Sequence, residues 1–231
     1  TLSPSSAASD VYKRQAEGIL SLKPDVLIGT EEMGPPPVLA QIRNAGVPVE
    51  MFSAEADLPT LEGTLAHLGR LLGDEAKAAQ VFKAYQEQLE ALQQQVKQAQ
   101  APHTSPGVLL LLGHAGGKPL VAGQDTAADW LLTQAGGHNL ATHTGYKTFS
   151  VEALAGLHPD VLVFADRSLT GDEARKALMK ENPILASLKA AKDGRIYELD
   201  PTLLVGGLGP RLPDSLKQLT AEFYPAAPAH P

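Results

Sequence analysis

Among the side chains of this chain able to do chemistry, seven histidines, a few loop arginines and the carboxylate pairs Glu31-Glu32 and Asp172-Glu173 stand out. His67, His103, His114, His138, His143, His158 and His230 never fall into the His-x-x-x-His helical spacing of a metal site. His138 and His143 stand five apart in a loop, which suits zinc only weakly. No GxGxxG, GxxxxGK[ST] or GxSxG string occurs, so dinucleotide, P-loop and hydrolase-elbow chemistry lack their scaffolds. The absence of Cys removes disulfides, zinc–thiolate sites and thiol catalysis. An α/β enzyme would need a clustered nucleophile and base, and none is found. What remains are polar residues placed directly after apolar, strand-like runs. Glu31 and Glu32 follow VLIGT, His114 follows VLLLL and Gly113, and Asp166-Arg167 follows VLVFA. Arg211 lies in GGLGPRLPD, and Asp172-Glu173 opens a helical stretch. Each has an ordinary reading beside the binding one. His114 can be a hydrogen-bonding loop residue, Arg167 a surface ion-pair partner, Arg211 a brace for the final helix, and the acidic pairs a solvated face.

The element that must position these residues is Asp74–Gln100. Its apolar residues Ala78, Phe82, Tyr85, Leu89, Leu92 and Val96 recur at alternate steps of four and three, which places them on one helical stripe. Asp74 after Gly73 suits the N-cap, and Ala101-Pro102 stops the helix. About 26 residues at about 1.5 Å each make a rod of roughly 40 Å. A coiled-coil seam and a strut joining two globular halves both fit such a rod.

On either side of the rod the pattern is α/β. EGILSL reads as a short helix, Lys23-Pro24-Asp25 as a turn, VLIGT as a buried parallel strand, VLAQIRNA as a helix opened by prolines, and VPVEMF as the next strand. Leu61, Leu65, Leu68 and Leu72 mark a helix from Leu58, whose end is loosened by Gly69 and Gly73. After the rod come a strand at Val108–Leu112, a short return at Leu120–Ala122 and a helix at Asp125–Ala135. The stretch HNLATHTGYKTF reads as a loop. A helix at Ser150–Leu157 follows, then the VLVFA strand, a helix at Asp172–Lys180, a Pro183 turn or helix, a strand at Arg195–Leu199 and a last helix from Pro213 to Phe223. Glu17–Thr30 (EGILSLKPDVLIGT) and Glu152–Ala165 (EALAGLHPDVLVFA) match in register, which predicts two lobes of like construction. With 231 residues, 43% of them apolar, the chain can bury a real core. A net charge of −7 with scattered Lys and Arg argues against a nucleic-acid surface, and no apolar run approaches a membrane span.

Two α/β lobes with matched helix–turn–strand units, one long connecting helix and no Cys resemble the helical-backbone class of periplasmic substrate-binding proteins, which serve haem, ferric-siderophore and cobalamin importers of the ABC type. Within that class GTEEMGPPPVL at 29–39, PLVAGQDTAADWLL at 119–132 and LDPTLLVGGLGPRLPDSL at 199–216 look like the haem-binding branch. The expected fold class is therefore α/β, two lobes with parallel sheets joined by a backbone helix. The expected parts are a non-native tail at 1–15, an incomplete N-terminal lobe at 16–57, a helical connector at 58–101, a C-terminal lobe at 102–225 and a disordered tail at 226–231. The family's fold has a further strand, helix and strand ahead of EGILSL, so the chain is expected to be truncated at its N-terminus. No basic and apolar leader is seen, and periplasmic location is inferred from the resemblance alone.

The resemblance also implies roles. Haem is the expected ligand, carried as cargo, with Tyr12 as axial iron ligand and Arg14 beside it. The family's Tyr-x-Arg segment is matched by Tyr12-Lys13-Arg14, two residues closer to Glu-Gly than the pattern has it. A phenolate is a hard ligand for ferric iron, and a neighbouring guanidinium favours ionisation of a phenol whose ordinary pKa is about 10. His114 would be an additional ligand from the second lobe, Arg167 would meet a haem propionate or the phenolate, and Arg211 would bind the ligand from a shaped loop near the cleft. Glu31, Glu32, Asp172 and Glu173 would engage arginines of the membrane permease, with the protein acting as a monomer that performs no catalysis. A ferric-siderophore or cobalamin binder keeps the fold and changes the ligand. A coiled-coil interaction module would instead use the stripe of the rod.

Overall fold

A computed structural model describes residues 15–31, 33–101, 103–113, 120–166 and 168–225, and the chain divides into two compact units at Ala54/Glu55. In the first unit, α1 (residues 15–21) leads into β1 (Leu27–Thr30), α2 (Pro36–Asn44) and β2 (Val49–Phe52). The two strands pair in parallel from Leu27↔Val49 to Thr30↔Phe52, with α2 as the crossover. Proline in the first turn of α2 costs nothing, because the N–H it lacks would have no helical partner there. Ala16, Val38 and Ile42 form the small core, with Ile19, Leu20, Leu27, Val47 and Val49 packed on it.

The second unit begins with α3 (Leu58–Leu72) and α4 (Glu75–Gln100). Asp57 and Asp74 cap them, accepting from Thr60 N and Lys77 N. Gly69 and Gly73 act as more than loosening residues. Gly73 ends α3 at φ +74°, and a Cβ on Gly69 would lie 2.7 Å from the Ala78 methyl, so α3 and α4 meet there backbone to side chain.

The sheet that follows holds β3 (Gly107–Gly113), β4 (Leu120–Ala122), β5 (His138–Asn139), β6 (Tyr146–Thr148), β7 (Val161–Asp166) and β8 (Ile196–Glu198). Its order is β6-β4-β3-β7-β8, with β5 pairing β3. β3, β7 and β8 run parallel, while β4 is antiparallel to β3 and to β6. The stretch expected to be a loop after Gly137 thus supplies two short strands, which its polar, Gly-containing sequence does not advertise. Helices α5 (Ala127–Gln134), α6 (Val151–Gly156), α7 (Gly171–Glu181), α8 (Lys189–Lys192) and α9 (Leu212–Phe223) complete the unit.

Alternation along the strands sorts the core into two faces. Val108, Leu110, Val161, Val163 and Ala165 join α5, α9 and the α4 stripe of Phe82, Tyr85, Leu89, Leu92 and Val96. Leu109, Leu111, Leu162 and Phe164 join Leu154 of α6, Ala174 and Leu178 of α7, and Ala190 of α8. Strands covered on both faces must be apolar throughout, which is why VLLLL and VLVFA do not alternate. The cluster holding the α4 stripe draws all its members, among the described residues, from the second unit.

The sequence repeat is also a conformational one. Helix α1 ends with Leu22 N donating to Ile19 O and Lys23 N to Leu20 O, with Lys23 at φ +51°. Helix α6 ends with Leu157 N donating to Leu154 O and His158 N to Ala155 O, with His158 at φ +49°. Proline comes next in both copies. It biases its predecessor away from the right-handed helical region, and here both chains leave their helix through the left-handed one.

Candidate ligand-binding site

Parallel strands deliver the chain to one edge of a sheet, so the loops at the carboxyl ends of β3, β7 and β8 gather there. Gly113 and Asp166 are in-register partners at that edge, and Phe164 pairs with Glu198 one strand further on. His114 and Arg167, the next residues after Gly113 and Asp166, lie outside the described residues, as do Tyr12, Arg14 and Glu32.

The carboxylates at this edge are engaged in shaping the loops. Asp166 Oδ1 accepts from Ser168 N at 2.7 Å and Leu169 N at 3.0 Å, folding the chain tightly as it leaves β7. Gly113 must lack a side chain because a Cβ would run into Asp166 Oδ2. Glu198 Oε2 accepts from Gly171 N at 2.6 Å, which satisfies a free amide at the start of α7 and ties the loop after β7 to the end of β8. Asp200 Oδ1 accepts from Thr202 N at 2.9 Å and Thr202 Oγ1 at 2.6 Å, and its Oδ2 accepts from Arg211 Nη1 at 2.8 Å. These bonds, from Thr202 first and Arg211 second, hold the Asp200 carboxyl below its ordinary range.

Arg211 is thus placed at the expected edge, and it braces a loop there. Its Nη2 donates to Thr202 Oγ1 at 2.6 Å. Glu31 is exposed at the end of β1, where its N–H bonds to Phe52 O at 2.9 Å. Asp172 and Glu173 are exposed in the first turn of α7, where negative charge also favours the helix. Sequence reasoning singled out Asp166 beside Arg167 at the end of β7 and passed over Glu198, Asp200 and Thr202. Asp200-Pro201-Thr202 does carry a readable signal, an Asx-type turn start with proline behind it. Leu169 and Val205 were also missed, two aliphatic side chains left 37% and 49% exposed on the loops after β7 and β8.

The opposite edge holds a cavity of about 340 Å³ lined by His103, Thr104, Pro106, Asp160, Arg195 and Tyr224 among others. These residues are occupied with structure. Asp160 accepts from Gly107 N at 3.0 Å and Lys189 Nζ at 3.1 Å, and Arg195 Nη2 donates to Phe223 O at 2.9 Å. Tyr224 donates to Gly136 O at 2.7 Å. His143, one of the loop pair, turns inward, with Nε2 3.2 Å from Val121 O and its ring 5.0 Å from that of Phe149. Among the described residues no group of three or more His, Asp or Glu could hold a metal ion, and no helix is long and apolar enough to cross a membrane.

Residues 10–203 match the periplasmic binding protein family. The chain belongs to that family. Members similar to it include a periplasmic haem-binding protein from Pseudomonas aeruginosa, 57% identical, with a TM-score of 0.89 over 92% of this chain and 76% of that one. The periplasmic haem-binding protein HutB of Vibrio cholerae is 32% identical, with a TM-score of 0.77 over 91% of this chain and 80% of that one. The haem-binding protein BhuT, solved in complex with two haems, is 31% identical, with a TM-score of 0.77 over 90% of this chain and 78% of its own. Among curated relatives, an uncharacterised ABC transporter substrate-binding lipoprotein of Bacillus subtilis, YvrC, and a cobalamin-binding protein of Halobacterium salinarum are each 24% identical over 212 residues, 90% of this chain. This chain spans 65% of the first and 55% of the second.

Proposed function

We propose that this chain captures haem in the periplasm and delivers it to the permease of an ABC importer, doing no chemistry on it. The observation that carries this reading is the 57% identity, across 92% of the chain, to a periplasmic haem-binding protein. Haem is a flat apolar ring with a ferric centre and two carboxylates, so a site for it needs an aliphatic wall, a hard or imidazole ligand and a cation. In this reading Tyr12 supplies a phenolate to the iron with Arg14 favouring its ionisation, and His114 is the additional ligand. Arg167 meets a propionate, and Leu169 and Val205 contribute apolar surface. Glu31, Glu32, Asp172 and Glu173 are the contacts for permease arginines, and the protein works as a monomer.

Titration with ferric haem tests the reading. The expected result is a saturable complex with the absorption spectrum of a tyrosinate-ligated ferric haem, lost in Tyr12→Phe and altered in His114→Ala. A spectrum unaffected by both substitutions removes the assigned ligands, and no saturable binding removes the haem reading itself. The cobalamin-binding relatives support a second ligand, cobalamin, on the same fold. Hydroxocobalamin that binds tightly where haem does not would establish that alternative.

A further inference from the structure

The segment leaving β8 is closed by a ring of three side chains. Thr202 Oγ1 donates to Asp200 at 2.6 Å and accepts from Arg211 Nη2 at 2.6 Å, while Arg211 Nη1 donates to Asp200 at 2.8 Å. With side-chain exposures of 62% and 43%, the Arg211–Asp200 attraction is screened by water and contributes little energy. Its consequence is geometric. The Nη1–Nη2 side of the guanidinium is committed to one loop, and its charge faces a carboxylate that is itself held ionised.

Between the two ends of this brace the chain is anchored by buried Leu203 and Leu208, and the residues between them have few options. Val205 turns outward at 49% exposure, an isopropyl group in water. Gly206 and Gly207 follow, both at φ +79°, a conformation that resists a side chain. Gly207 is buried with Leu208, so the surface here is exposed Val205 beside the half-buried, side-chain-free Gly206, which makes it low and apolar. The bond from Gly171 N to Glu198 ties the neighbouring loop, which carries exposed Leu169, to the same strand end.

We propose that Arg211 is a positioning residue of the ligand site, acting through Asp200 and Thr202, and that the loop it fixes presents Val205 and the Gly206 backbone to the face of the ligand. The assignment rests on the haem reading and changes it in one respect: Arg211 supports the ligand loop and does not touch the ligand itself.

Haem dimethyl ester, which keeps the ring and iron and lacks the two carboxylates, separates a brace from a propionate contact. Arg211→Ala is expected to weaken haem and its dimethyl ester by the same factor, about tenfold, as loss of a supporting residue commonly does. Asp200→Ala should give a similar loss, and the double variant should be no worse than either single one, because both remove one device. Val205→Asp should weaken both ligands further. A loss in Arg211→Ala confined to free haem, or losses in the double variant that multiply, would overturn the proposal in favour of direct contact. Amide hydrogen exchange on the unliganded chain judges the brace apart from the ligand. Residues 202–208 should exchange faster in Arg211→Ala and Asp200→Ala while β3 and β7 do not change. If the natural chain binds no haem, the haem reading falls. Unchanged exchange in both variants overturns the brace.

Discussion

Leu89→Ala tests where the long helix belongs. Leu89 is 4% exposed in the middle of the α4 stripe, in the same cluster as Val108 and Leu110 of β3 and Leu216 and Leu219 of α9. Truncation removes three side-chain carbons from a buried site in a cluster that draws on α4, α9 and β3. These cannot all move inward, so the cavity persists. The transfer loss and the cavity together cost about 3 kcal/mol, within the 2–5 range for buried leucines. In a unit running from Glu55 to Pro231, that lowers the midpoint of thermal unfolding by roughly 6–12 °C, at about 2–4 °C per kcal/mol. The assay is thermal and urea unfolding followed by far-ultraviolet circular dichroism, with sedimentation of both proteins. Glu87→Ala on the outer face is the control. Its pairing with Lys83 is 3.8 Å long and largely exposed, so the change should stay within about 0.5 kcal/mol. The reasoning is refuted if Leu89→Ala costs less than about 1 kcal/mol, or if its main effect is to dissociate an oligomer, since the stripe would then be a seam between chains.

Three further outcomes follow from the same packing. Asp160 is held below the ordinary carboxylate range, first by the Gly107 amide and then by Lys189. Its contribution is therefore present above the unfolded value of about 3.9 and is lost as pH falls through it toward the lower folded value. Urea unfolding should show Asp160→Asn less stable than the natural protein at pH 7, with the gap narrowing at pH 3. Gly69→Ala should destabilise despite better helix propensity, because its Cβ meets Ala78 at 2.7 Å and the Glu75 backbone at 3.0 Å, and adding Ala78→Gly should recover only part of the loss in the same assay. Tyr85 keeps a buried hydroxyl without a partner among the described residues, and burial pushes its pKa up to about 12. Stability should accordingly fall as pH rises from about 10 toward 12 as the unfolded phenol ionises, and Tyr85→Phe should abolish that loss while costing less than about 1 kcal/mol at pH 7.

The fold was legible where one physical rule acted alone. The four-and-three spacing of Phe82, Tyr85, Leu89, Leu92 and Val96 leaves a helix one possible face, and all five are buried. VLLLL and VLVFA could be read as strands covered on both sides for the same reason. The PDVL repeat gave the matching of α1–β1 with α6–β7, but not the left-handed exits at Lys23 and His158, each the residue directly before a proline. His138–Asn139 and Tyr146–Thr148 escaped because strands of two and three residues are too short for any period, and partners far along the chain hold them. At the site, the strand ends were foreseeable and the bonds were not. Nothing local to Arg211 announces that its partner is Asp200 instead of a ligand.

That partner changes the charge balance at the proposed ligand edge of the second unit. Asp166, Glu198 and Asp200 bring three carboxylates there, each accepting from loop amides, so none is free to leave. Arg211 offsets one of them. A haem approaching this edge with its two ionised propionates meets residual negative charge unless another cation answers it, and in the sequence Arg167 is the cation that follows β7. Arg167→Ala should therefore weaken free haem strongly and its dimethyl ester little, the reverse of the pattern expected for Arg211, and the difference should shrink as salt rises. Equal losses for both ligands in Arg167→Ala would mean that this edge does not meet the propionates, and that the carboxylates of haem are answered elsewhere in the chain.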